Sequence, residues 1–289
     1  MPLKDKYINP LTDFGFKKLF GEEPNKALLI DFLNQILPQE HQIEQLSYTK
    51  NEHLGNNLYE RKAIFDLYCE SSTGEKFIVE LQKAKQNYFK DRSVYYSTFP
   101  IQEQAEVGDW DFKLSAVYTI GILDFVFEET KHNPDILHRV QLKNQRNQVF
   151  FDKLTYLYIE LPKFEKTEEE LETKFDKWLY VFKHLSKLQD KPQALQEQVF
   201  EQLFQAAAIA SFTREERAVY EDSLKYYRDI KNVVDSSKEE GWEQGITKGI
   251  AIGEDKKALE IAKRMKELNL PIATIAQSTG LSEDQIKEL

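Results

Sequence analysis

Two carboxylates, Asp66 and Glu80, and the side-chain amide of Gln82 are the residues of this chain whose types and spacing could do chemistry. They lie in RKAIFDLYCESSTGEKFIVELQKAK, residues 61–85. Residues 61–70 alternate, with Ala63, Phe65, Leu67 and Cys69 on one side and Ile64, Asp66, Tyr68 and Glu70 on the other. Residues 76–82 alternate again, Phe77, Val79 and Leu81 opposing Ile78, Glu80 and Gln82. A short polar stretch containing Gly74 separates the two runs, which predicts a β-hairpin. A three-residue loop of Ser72, Thr73 and Gly74 would pair Asp66 with Glu80 on one sheet face, Cβ atoms roughly 4.5–5.5 Å apart. Carboxylates that close repel each other, so one protonates or a cation sits between them. A hard divalent ion such as Mg²⁺ favours one or two carboxylates with waters and substrate phosphate oxygens. The pattern therefore points to a divalent-metal phosphodiesterase site. The competing reading is a solvated acidic face that also includes Glu70. Against it, Asp66 and Glu80 lie inside the apolar runs IFDLY and FIVELQ. Such runs suit strands covered on both faces, where an unpaired charge is costly.

The spacing of Asp66 and Glu80-Leu81-Gln82 resembles the D…E-x-K/Q signature of the PD-(D/E)XK nuclease superfamily. A closer resemblance is to the Rpn family of recombination-promoting nucleases, also called putative transposases. Further segments carry it: TDFGFKKLFG at 12–21, DRSVYYSTFPIQEQ at 91–104, VYTIGILDF at 117–125, LYIELPKF at 157–164, and the glycine-spaced tail after residue 240. The resemblance implies a bacterial, metal-dependent DNA endonuclease linked to recombination and transposase-like mobile elements, using Mg²⁺ with Mn²⁺ as a substitute. It implies Asp66 and Glu80 as metal ligands, Asp13 of the first helix as a third, and Gln82 in the catalytic set. In the same scheme the backbone carbonyl of Leu81 adds a metal ligand. Gln82 stands where much of the superfamily holds lysine. A glutamine orients water or ligands by hydrogen bonds and cannot act as a base, so the proton acceptor is left unnamed. The alternative is a catalytically silent, nuclease-derived module that binds DNA or protein.

The elements needed to position these residues are legible in outline. Residues 11–20 predict a short helix with Asp13 at its start, where an acid suits the helix dipole, and Gly21 at its end. Pro24 opens a second helix with the stripe Leu28, Leu29, Phe32, Leu33 and Ile36. Residues 42–52 read as a first strand and 88–106 as an aromatic-rich helix interrupted at Pro100. Residues 114–125 read as a buried strand, and 138–144 with 154–161 as an edge hairpin. Helices are expected over 168–189, about 193–212 and 213–240. The fold class is α/β: a restriction-endonuclease-like mixed central sheet flanked by helices, followed by an α-helical C-terminal region. The expected division is a nuclease core at 1–165, a helical region at 166–240, and a tail at 241–289. In that tail Gly241, Gly245, Gly249 and Gly253 recur every four residues. They read as a flexible helical linker or as a self-association seam. The last segment reads as two short helices with a capping box at Ser282 and Gln285. Its acids, Glu267, Glu283, Asp284 and Glu288, do not suit a DNA groove.

The 289 residues are 41% hydrophobic and carry a net charge of −10. That is enough for one substantial domain and a smaller appendage. Cys69 is the only cysteine, which excludes intrachain disulfides and thiolate-rich zinc sites. No apolar run approaches bilayer length and the N-terminus lacks a signal-peptide core, which predicts a cytoplasmic protein with no membrane partner. The acidic total argues against nucleic acid, but phosphate contact depends on local charge. Lys83, Lys85 and Arg92 form one candidate phosphate track; Arg139, Lys143 and Arg146 form another.

Overall fold

Thr12 starts the first helix, α1 (Asp13–Phe20): its hydroxyl oxygen accepts the Gly15 amide at 3.0 Å. Gly15 is required there, because a Cβ would lie 2.1 Å from the Asn9 carbonyl oxygen. Phe16, Leu19 and Phe20 turn inward. A 3₁₀ turn at Glu23–Asn25 holds Pro24 and leads into α2 (Lys26–Asn34), whose expected stripe, Ile36 included, is buried. These contacts belong to the computed structural model of the chain, which describes residues 5–50, 52–53, 63–105 and 108–289.

The strands begin with β1 (Leu46–Tyr48), followed by a small separate pair, β2 (Glu52–His53) and β3 (Ala63–Ile64). The hairpin is β4 (Leu67–Ser71) and β5 (Lys76–Gln82). Its register is the predicted one: Leu67 pairs with Val79 and Cys69 with Phe77. Gly74, at φ +93°, supplies the left-handed backbone of the turn. The alternation fails at one place. Asp66 lies in a bend ahead of β4, and Phe65 packs with Tyr68 and Ile78 instead of joining Leu67 and Cys69. Residues 61–62, where the expected run begins, lie outside the described residues, as do residue 51 of the expected first strand and residue 106 of the expected aromatic helix.

Helix α3 (Phe89–Gln102) runs through Pro100 and ends two residues later. The proline removes a hydrogen bond only in the last turn, so it does not divide the helix. Then come β6 (Val117–Leu123), buried throughout, β7 (Leu137–Lys143) and β8 (Val149–Glu160). The six-stranded sheet has the order β1-β4-β5-β6-β8-β7. β5, β6 and β8 are parallel and the outer pairs antiparallel, so the sheet is mixed as expected, with β7 at an edge.

Later helices are α4 (Lys174–His184), α5 (Gln198–Ala207), α6 (Arg214–Glu267), α7 (Ile272–Thr279) and α8 (Glu283–Glu288). One sheet face, with Leu67, Phe77, Val79, Ile120 and Leu157, shares a core with Phe20, Phe32, Trp178, Phe182 and Phe200. The other face is covered by α3, through Tyr96 and Phe99 near β4 and Phe89 near β6 and β8. Burial on both faces is why β6 reads as a continuous apolar run. Because α4 and α5 close the same core as the sheet, the expected boundary near 165 falls inside the first of two compact units, Met1–Lys231 and Asn232–Leu289.

In the second unit Ala262, Ile275 and Ile286 form a small core. The capping box is present: Ser282 Oγ accepts the Gln285 amide at 3.2 Å, and Gln285 Oε1 accepts the Ser282 amide at 2.9 Å. The four spaced glycines lie inside α6, and a methyl group on any of them would meet nothing within 4 Å. Among the described residues no helix is long and apolar enough to cross a membrane.

Candidate active site

The bend at Asp66 and the last residues of β5 bring the two acids together. The Asp66 amide donates to Glu80 Oε1 at 3.2 Å, and the Leu81 amide donates to Asp66 Oδ2 at 2.7 Å. Each carboxylate therefore has one oxygen held by a main-chain N–H. Among the described residues no donor reaches Asp66 Oδ1 or Glu80 Oε2 within hydrogen-bonding distance. Burial, then the negative charge of Asp66, raises the Glu80 pKa. Burial also raises that of Asp66, against the pull of the Leu81 amide. Two partly desolvated acids that disfavour joint ionisation, each with an oxygen to spare, form a donor set that fits a hard divalent cation. Among the described residues no third His, Cys, Asp or Glu completes a metal cluster.

Asp13 is nearby but otherwise engaged. It sits exposed in the first turn of α1, 2.9 Å from Lys17 Nζ across one helical turn. It lines the same cavity of about 370 Å³ as Asp66, together with Lys17, Lys18 and, from α6, Val219 and Ser223. Its negative charge is one of the influences that raise the Asp66 pKa. Lys17 had no place in the expected site, yet its positive charge acts on both Asp66 and Glu80. The available signal was its spacing: four residues after Asp13 puts it on the same helix face.

On the other side α3 supplies Arg92. Its Nη2 donates to Gln82 Oε1 at 2.5 Å and its Nη1 to Gln86 Oε1 at 2.6 Å. Gln82 Nε2 donates to the Ala84 carbonyl at 3.0 Å. Both ends of the Gln82 amide are thus fixed, so its contribution here is to hold Arg92 beside Glu80. Tyr96, one turn further along α3, feels the negative charge of Glu80, and burial raises its pKa.

The candidate phosphate residues divide. Lys83 follows the end of β5, so it escapes the strand alternation that would have turned it away. Burial lowers its pKa while Asp13 and Asp66 raise it, and its Nζ stands 5.3 Å from the Tyr226 ring centroid. Lys85 is exposed, 4.0 Å from Glu128. Arg139, Lys143 and Arg146 are not brought to the site. They lie on β7 and its following turn, three strands from β5, at roughly 4.8 Å per strand. Lys143 pairs with Val149 at the start of β8, the opposite end of the sheet from Glu80. Arg139 donates to the Ile36 carbonyl at 3.1 Å.

No curated protein and no solved structure matches the chain. Residues 10–237 match the family described as PD-(D/E)XK nuclease family transposase. That span holds Asp66, Glu80 and the residues described around them, from Asp13 and Lys17 of α1 to Val219 and Ser223 of α6. PD-(D/E)XK nucleases generally act on DNA with divalent metal ions, and by a match over most of its length this chain belongs to the PD-(D/E)XK nuclease family transposases.

Proposed function

We propose that this protein is a Mg²⁺-dependent DNA endonuclease, with Mn²⁺ as a substitute, that cleaves phosphodiester bonds in recombination or in the movement of mobile elements. The observation that carries the reading is the main-chain lock between the two acids, Asp66 N–H to Glu80 and Leu81 N–H to Asp66. Asp66 and Glu80 would hold the cation, with the Leu81 carbonyl as a further ligand and Asp13 joining if it exchanges Lys17 for the metal. A bound divalent ion supplies Lewis acidity and positive charge against the phosphate. Arg92, oriented by Gln82, would pair with a phosphate oxygen, and a guanidinium suits that geometry. Lys17 and Lys83 would add positive charge across the cavity beside Asp66, and Lys85 would extend it toward the flanking strand.

The experiment is nicking of supercoiled DNA by purified protein across a titration of Mg²⁺ and Mn²⁺. Wild-type protein should nick, and Asp66→Ala should not while remaining folded; equal nicking by both would reject the assignment. The second reading, a catalytically silent module that binds DNA or protein, is favoured by the full engagement of the Gln82 amide with Arg92 and Ala84. It predicts no nicking at any metal concentration.

Self-association through the C-terminal helical region belongs to the same proposal. Trp242, Ile246 and Ile250 recur at four-residue spacing on α6 and are all exposed. Light scattering should report a mass above the monomer for wild type and a lower one for Trp242→Glu.

A further inference from the structure

Helix α3 carries a second feature that the hydrolytic reading leaves unused. A groove of about 400 Å³ is lined by Asn87, Tyr88, Phe89, Asp91, Arg92 and Tyr95. Tyr88 is 80% exposed, and Tyr95, whose ring meets Phe99 edge-on at 5.2 Å, is 43% exposed. Tyr88 also occupies the cap position ahead of α3 with left-handed backbone, φ 62° and ψ 25°, and its side chain makes no capping hydrogen bond. Polar residues favour that position and a bulky ring does not. Tyr88, Arg92 and Tyr95 are spaced four and three residues apart, so they share one face of the helix.

Arg92 joins this groove to the candidate active site. Its guanidinium stands 5.3 Å from the Phe89 ring and 5.8 Å from the Tyr96 ring, while its Nη2 reaches Gln82. Its positive charge is also felt by Glu80. A ligand in the groove is therefore one arginine side chain away from the two acids.

We propose that this groove binds an unpaired nucleobase of DNA, stacked on Tyr88 and Tyr95, and that the substrate therefore has single-stranded character. The proposal rests on the endonuclease reading for its substrate. Three observations select this occupant. Exposed aromatic rings beside a guanidinium are the combination that binds single strands: bases stack on the rings and the cation tracks the phosphate. The Asn87 amide and the Asp91 carboxylate offer hydrogen bonds to the edge of a base. A base inside a duplex has both ring faces covered by its neighbours, so only an unpaired or extruded one can use the tyrosines.

The test measures binding without cleavage, by fluorescence anisotropy of full-length protein in EDTA and again with Ca²⁺. The probes are a labelled single-stranded oligodeoxynucleotide, a fully paired duplex of equal length, and an oligoribonucleotide of the same sequence. Wild type should favour the single-stranded DNA. Tyr88→Ala with Tyr95→Ala should lose about tenfold or more on that probe and change little on the duplex. Tyr88→Phe with Tyr95→Phe should bind as wild type does, because the rings remain. A 2-aminopurine base in the single strand should be quenched by wild type and not by the alanine pair. Equal single-strand binding by the alanine pair, preference for duplex, or tighter binding of the ribonucleotide would each overturn the proposal. Asp66→Ala serves as the control that separates the two readings. If wild type nicks at no metal concentration, the endonuclease reading fails whatever the tyrosines do, and if Asp66→Ala nicks as a nicking wild type does, the assignment of Asp66 fails. If that variant is inactive but the alanine pair binds normally, the groove proposal fails alone.

Discussion

Asp66 and Glu80 are linked through the backbone of one by the side chain of the other, Asp66 N–H to Glu80 Oε1 at 3.2 Å. The reciprocal tie, Leu81 N–H to Asp66 Oδ2, closes the arrangement on the neighbouring strand. Neither acid can swing away from the other without stranding an amide. The geometry therefore keeps the two carboxyl groups together before any cation arrives, at the cost of raising the pKa of both, and this has consequences for stability as well as for chemistry.

Metal-free stability should depend on pH in an unusual direction. The folded protein raises the pKa of both acids, so between the ordinary carboxylate range and the raised value it binds more protons than the unfolded chain. Stability contributed by these groups is then full below the ordinary range and is lost as pH rises through the raised value. The loss is about 1.4 kcal/mol for each tenfold difference in proton affinity between the folded and unfolded chains. Thermal melts in EDTA should show this decline. Mg²⁺ or Mn²⁺ should raise Tm more at alkaline than at acidic pH.

Asp66→Asn should separate function from stability. The amide oxygen can still accept from Leu81 N–H, while the desolvated charge is gone. The variant should match or exceed the wild-type Tm in EDTA, lose nicking, and lose most of the metal-dependent rise in Tm. A differential scanning series with and without Mn²⁺ reads all of this.

Arg92→Leu should free Gln82 and remove the charge beside Glu80. A hydrogen bond to a charged group contributes about 1.5–3 kcal/mol, so kcat/KM for cleavage should fall about 10- to 150-fold. Arg92→Lys keeps the charge but loses the fork that reaches Gln82 and Gln86 together, and should recover only part of the loss. Steady-state kinetics on a short DNA substrate checks both.

Gly15→Ala should weaken the fold at the helix that carries Asp13 and Lys17. The added methyl would overlap the Asn9 carbonyl oxygen at 2.1 Å, and relieving such crowding costs about 1–3 kcal/mol or more. Urea denaturation should show a lower midpoint with an unchanged slope.

Much of the site could be read before the fold was seen, and the reason is local. The hairpin register depends on a short turn with Gly74 and on alternation that continues through Leu67 and Val79. Helix α1 announces itself by Asp13 at its start and Gly21 at its end. The bend at Phe65 and Asp66 had no such marker, since alternation continues in the letters while the backbone breaks step. The packing of α4 and α5 on the sheet was not legible, because an amphipathic stripe such as Trp178, Leu179 and Phe182 shows that a face is buried but not against what. Arg139, Lys143 and Arg146 looked like a phosphate track because sequence clustering carries no information about which edge of a sheet a strand occupies.

The sole thiol, Cys69, is sealed in the core of β4, where burial raises its pKa. Maleimide and other electrophiles have no thiolate to find there. A cysteine introduced at an exposed position such as Lys85 or Asn87 would therefore be the single labelling point on the chain. Attached fluorophores or spin probes could report distances to a bound oligonucleotide without any background mutation.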